Sequence, residues 1–148
     1  VRPFSKSHSL AGGRVGYAIG QPPLIQGLRR VKNSFNSYPV DRIATAAARA
    51  AVLDTDYYAK TDAKVAAVRE KFSAELRKRG FQVLPSKANF VFASPAGFPA
   101  KALFLKLREH GILVRYFDKP RIDRFLRITI GTDAMMEKVL KAIDKILG

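Results

Sequence analysis

The chain is 148 residues long, about the length of one domain, and at 47% hydrophobic residues it is able to bury a core. It has no cysteine, which excludes a disulfide frame and a thiolate metal site, and its two histidines, His8 and His110, lie too far apart in sequence to suggest a metal site of any kind. The net charge of +15 would suit a nucleic acid, a membrane surface or a phosphorylated ligand, but the cations are scattered (Arg29, Arg30, Lys32; Lys71, Arg77, Lys78, Arg79; Lys119, Arg121, Arg124) and form no block.

The first segment is FSKSHSLAGGRVGYAIG, Phe4 to Gly20. Val15, Tyr17 and Ile19 alternate with small residues, so Arg14–Gly20 is expected to be a strand against a close neighbour. Because the chain opens at Val1 on what reads as a strand end, it is expected to be a piece of a longer protein. That strand would then pair with strands this chain does not contain, leaving residues 1–50 paired with another chain, rearranged or poorly ordered. Pro22 and Pro23 suit the first turn of a helix continuing through LIQGLRRVKN. Val40–Leu53 is alanine-rich and predicts a closely packed buried or interface helix. The composition changes near Asp54–Asp56, the expected domain boundary.

The next segment, through Gly80, predicts an amphipathic helix with Val65, Val68, Phe72 and Leu76 on one stripe, stopped by the glycine. FQVLP and ANFVFAS predict two strands. PAKALFLKLREHG predicts a helix ended by Gly111. ILVRYF and RFLRITIG predict two further strands, with Leu126, Ile128 and Ile130 on one side of the last and Phe125, Arg127 and Thr129 on the other. Thr132 and Asp133 form an N-cap pair for a final helix with Met136, Val139, Leu140 and Ile143 inward. From about residue 55 the order is α-β-β-α-β-β-α, a compact α+β unit on a mostly antiparallel sheet.

Lys6 is the candidate for chemistry. A lysine amine is a nucleophile only when partly deprotonated, which a neighbouring cation and partial burial favour. Amines of this kind form imines with aldehydes, and pyridoxal phosphate is the commonest aldehyde cofactor. Its phosphate needs hydroxyls, backbone N–H groups and an arginine fork. Ser5, Ser7, Ser9, Gly12, Gly13 and Arg14 are of the right types. Residue types alone also fit a polar surface loop. Arg115 and Arg127 likewise fit solvent-facing strand positions paired with carboxylates.

The segment FSKSHSLAGGRVGYAIG resembles the cofactor-lysine segment of the fold-type I aminotransferases that depend on pyridoxal 5'-phosphate, in the branch containing histidinol-phosphate aminotransferase. FNSYPVDRIATAAARAAVLD, PSKANFVFA, ILVRYF and FLRITIGT resemble the segments that follow, in order and at family-like spacing, over essentially the whole chain. The resemblance implies an α/β protein: residues 1–54 as the end of a large cofactor-binding domain and 55–148 as the small C-terminal domain. It implies Lys6 as the Schiff-base lysine, Ser5 and Arg14 on the cofactor phosphate, and Arg127 with Arg115 on the substrate's anionic group.

The implied activity of the parent protein is transamination between histidinol phosphate and 2-oxoglutarate in histidine biosynthesis. The implied setting is a cytoplasmic homodimer with small-molecule substrates, no nucleic acid and no membrane. Alternatives in the same branch are an aromatic amino-acid aminotransferase and a phosphothreonine decarboxylase. Gly13 and His8 depart from the family pattern, and His8 is expected to pack rather than act as a base. The family's phosphate loop, ring-stacking aromatic and ring-nitrogen aspartate all precede the lysine. The chain alone is therefore expected to be a catalytically inactive fragment.

Overall fold

The computed structural model describes residues 1–148. It divides into two compact units, Val1–Asp62 and Ala63–Gly148, and no helix in either is long and apolar enough to cross a membrane.

The first unit contains β1 (Arg2–Pro3), β2 (Gly16–Tyr17), α1 (Pro22–Phe35), α2 (Arg42–Leu53) and the opening turns of α3 (Thr55–Lys78). The strand expected over Arg14–Gly20 is only two residues long. It pairs with β1 of the same chain, with Arg2 opposite Tyr17 and Pro3 opposite Gly16. Two local causes account for the shortening and the in-chain pairing. Arg14 takes a left-handed φ of 52°, which breaks extended backbone before the strand begins. Gly16 lets the two backbones close, since a Cβ there would meet the Arg2 carbonyl oxygen at 3.0 Å.

α1 starts at its two prolines as expected, but its apolar stripe of Leu24, Leu28, Val31 and Phe35 is exposed. α2 buries only Ala44, Ala48 and Ala51, and the Asp41 carboxylate caps it by accepting from the Ala44 N–H at 2.7 Å. Tyr38, between the two helices, is 91% exposed.

The second unit takes the rest of α3, then β3 (Gln82–Val83), β4 (Phe90–Ser94), α4 (Ala100–Glu109), β5 (Arg115–Tyr116), β6 (Leu126–Thr129) and α5 (Asp133–Leu147). The four strands make one antiparallel sheet in the order β3-β4-β6-β5. Alternate residues define its two faces. Val83, Val91, Ala93, Leu126 and Ile128 form a continuous core with Phe72 and Leu76 of α3, Leu103 and Leu107 of α4, and Met136, Val139 and Ile143 of α5.

Both helix ends expected at glycines share one geometry. Gly80 (φ 79°) donates to the Arg77 carbonyl at 3.0 Å and Phe81 to that of Leu76 at 3.1 Å. Gly111 (φ 71°) donates to Arg108 at 2.9 Å and Ile112 to Leu107 at 2.9 Å. This double bond around a left-handed residue closes the helix and drives the next apolar side chain into the core, where Phe81 and Ile112 are buried.

Arg69, on the inward side of α3, is 7% exposed. Its Nη1 donates to the Ala88 carbonyl at 3.1 Å and its Nη2 to Glu70 at 3.0 Å, which ties the β3–β4 loop to the helix. Near the end of α3, Arg79 clamps two carboxylates, Glu75 at 2.9 Å and Asp144 of α5 at 2.6 Å.

Two predictions follow from this packing. Ile143→Ala, at a fully buried site, is expected to cost about 2–5 kcal/mol in urea denaturation, whereas Leu113→Ala, at 82% exposure, should stay within about 0.5 kcal/mol. The second concerns acid. Hydrogen bonds from Lys78 and Arg79 hold the Glu75 carboxyl below the usual carboxylate range, and Arg79 does the same to Asp144. A carboxyl with its folded pKa depressed stabilises above its unfolded pKa, and that contribution is lost as pH falls through the folded value. Asp144 is exposed and Glu75 only half-buried, so the effect is small. Arg79→Leu is expected to flatten the fall of the thermal midpoint between about pH 5 and pH 2; an unchanged acid slope would show that the clamp adds nothing in solution.

Candidate functional site

Lys6 lies in the loop that joins β1 to β2, together with Ser5 and Arg14. Backbone bonds close the loop at its base. The Phe4 N–H donates to the Val15 carbonyl at 3.0 Å, and the Leu10 N–H donates back to the Phe4 carbonyl at 3.0 Å. Inside that frame Ser9 donates to Lys6 at 3.1 Å and Gly13 to Leu10 at 3.2 Å, so the segment consists of two successive turns. Ser9 and Arg14 both adopt left-handed φ values, 55° and 52°, an uncommon conformation for residues with a side chain. The Arg14 Nη1 folds back onto the Ala11 carbonyl at 3.1 Å.

A small aromatic cluster anchors the loop. Phe4 is 5% exposed and packs on His8 at 4.9 Å and on Tyr17 at 5.5 Å between ring centroids. His8 packs on Tyr58 of α3 at 4.7 Å, and the Tyr58 hydroxyl donates to the His8 carbonyl at 3.2 Å. His8 therefore packs, as the sequence led us to expect, and also takes a 2.9 Å hydrogen bond with the Ser7 hydroxyl. Tyr58 escaped the sequence reading. It stands at the start of a polar helical stretch, and nothing in its spacing connects it to a loop fifty residues earlier.

The donor set of this loop has one character. Phe4–Val15 contains a lysine, an arginine and three serines, and no carboxylate. Lys6 is exposed and Ser5 half-buried. The loop can offer an amine, hydroxyls and a guanidinium to an anion, and nothing within it competes as a counter-ion.

Arg115 and Arg127 occupy the second unit, on the sheet face turned away from the helices. They are direct cross-strand partners on β5 and β6, and Phe92 of β4 stands opposite Arg127 on the other side. Like charges placed opposite each other destabilise a sheet. No carboxylate relieves them: neither arginine joins an ion pair, and nearby Asp118 pairs with Lys101 at 3.3 Å. Aromatic faces lie under them instead. The guanidinium carbons stand 5.4 Å (Arg115) and 5.7 Å (Arg127) from the Phe117 ring centre, and Arg127 is 5.4 Å from that of Phe90.

Phe125, on this same face, is buried by stacking on Phe92 at 4.7 Å. Arg121 and Arg124 are exposed, the latter over the Phe125 ring at 5.1 Å. Asn89 acts at the start of β4 through its backbone, its carbonyl accepting from the Ile130 N–H at 2.9 Å.

Comparison with known proteins places these features in context. A histidinol-phosphate aminotransferase 2 of Rhizobium meliloti (strain 1021) is 56% identical over 147 residues, covering 99% of this chain and 42% of that protein. A histidinol-phosphate aminotransferase 1 of Bordetella parapertussis is 57% identical over 148 residues, covering 100% of this chain and 42% of that protein. The chain thus spans about 42% of the length of these curated relatives. The crystal structure of a histidinol-phosphate aminotransferase from Sinorhizobium meliloti in complex with pyridoxal-5'-phosphate superposes with a TM-score of 0.85 at 32% identity, over 97% of this chain and 39% of that one. The family model for aminotransferase class I and II matches residues 1–143, and the chain belongs to that family.

Proposed function

We propose that this chain forms part of a pyridoxal-phosphate-dependent aminotransferase that exchanges an amino group between histidinol phosphate and 2-oxoglutarate in histidine biosynthesis. The observation that carries the reading is the carboxylate-free loop holding Lys6, Ser5 and Arg14, in a chain 56–57% identical along its length to proteins named for that activity. The relatives are more than twice as long, so we read the activity as that of a longer protein, a cytoplasmic homodimer. Residues 1–54 would belong to its cofactor domain and 55–148 to its small domain.

The loop's donor set fits a phosphorylated aldehyde. Ser5 and Arg14 would hold the phosphate, and the Lys6 amine would meet the aldehyde. Bound pyridoxal phosphate supplies an electron-withdrawing ring that stabilises negative charge developing at the substrate Cα. Lys6 Nζ accepts the proton released at that carbon, as a positioned amine base does. Arg127, helped by Arg115, binds the anionic group of the substrate. A guanidinium fork matches both a phosphate and a carboxylate, so one pair of arginines serves both partners of the exchange.

Incubation with pyridoxal phosphate, borohydride reduction and peptide mapping test this assignment. One labelled lysine, Lys6, is expected, with the label absent from Lys6→Ala and reduced in Arg14→Ala. A label spread over several lysines and unchanged by Lys6→Ala would refute the assignment.

A further inference from the structure

We infer that Phe117 is a positioning residue, an aromatic ring beside both Arg115 and Arg127 that holds them together as one anion clamp. The inference rests on the reading of those two arginines as the residues that meet the substrate's anionic group.

Two guanidinium ions stand opposite each other in register with no carboxylate between them. Left to themselves they would separate into solvent, since their repulsion is opposed by no ion pair. The ring of Phe117 lies within 5.7 Å of both guanidinium carbons, and the negative face of an aromatic ring attracts a cation at that range. Phe117 is itself held: its ring meets Phe92 edge-on at 6.3 Å, and Phe92 stacks on buried Phe125. A fixed ring shared by two cations orients them without neutralising them. A carboxylate in the same place would also gather the arginines, but it would compete with the ligand for their N–H groups. The ring leaves those donors free. Phe117 therefore acts through the arginines and needs no contact with the substrate.

The probe is inorganic phosphate, titrated into the chain while the side-chain Nε–Hε signals of Arg115 and Arg127 are followed by NMR. Both signals are expected to shift along one saturation curve. Phe117→Leu, which keeps the bulk and removes the ring face, is expected to weaken phosphate binding about threefold to tenfold while the thermal midpoint of the phosphate-free chain changes little. Phe117→Tyr keeps the face and is expected to bind like the unaltered chain, and this comparison stands even if Phe117→Leu does not fold. Unchanged affinity in a folded Phe117→Leu, or lost affinity in a folded Phe117→Tyr, would overturn the role of Phe117 alone. Arginine signals that do not respond to phosphate in the unaltered chain would overturn the arginine assignment beneath it.

Discussion

The two-residue period of β6 is the constraint on which most of the second unit depends. Leu126 and Ile128 must point to the helices, because the core of α3, α4 and α5 closes on them. Arg127 lies between them and is forced to the opposite face. A slip of one residue would bury the arginine and expose both aliphatic side chains, so the hydrophobic demand of the core also fixes the guanidinium. The same register sets Arg115 beside it. Packing on one face thereby builds an arrangement on the other that packing alone would not favour.

The first unit solves a different problem by different means. Its loop has little core behind it, so it is held by a pair of base hydrogen bonds, one buried ring at Phe4 and the chain of contacts through His8 to Tyr58. Two non-glycine residues sit in the left-handed region, and one of them is Arg14. Left-handed backbone costs about 1 kcal/mol per residue, which an unconstrained surface loop would relax away. Its retention here is supported by the base hydrogen bonds and by the Arg14 Nη1 bond to the Ala11 carbonyl.

The sequence was most legible where one periodicity served one purpose. The alternation in RFLRITIG, the stripe through Phe72 and Leu76, the glycine stops and the Thr132 cap all follow from short-range rules, and the structure has them. It was least legible where a contact joined distant segments. Val15, Tyr17 and Ile19 alternate as a long strand would, yet only Gly16 and Tyr17 pair, just after the left-handed turn at Arg14. Tyr58 and Phe117 carry no periodic signal, and each gains its meaning only from a partner elsewhere in the chain. Lys6 was singled out as a candidate through family resemblance alone, since the residue types around it also describe an ordinary polar loop.

The charge surplus separates into two populations by their surroundings. Arg69, Arg79, Lys71 and Lys101 each have a carboxylate within 3.3 Å, and each links parts of the fold. Lys6, Arg14, Arg115 and Arg127 have none. Lacking a counter-ion is not enough to mark a binding group, because exposed cations such as Arg29 and Arg30 lack one too. What distinguishes Arg14, Arg115 and Arg127 is that the structure restrains them without neutralising them, by a backbone carbonyl for the first and by aromatic faces for the other two. A charge that is held in place and left unpaired keeps its electrostatic capacity for an incoming anion. The net charge of +15, which from composition alone suited a nucleic acid, a membrane surface or a phosphorylated ligand, thus includes three cations, Arg14, Arg115 and Arg127, that the fold restrains and leaves without a counter-ion.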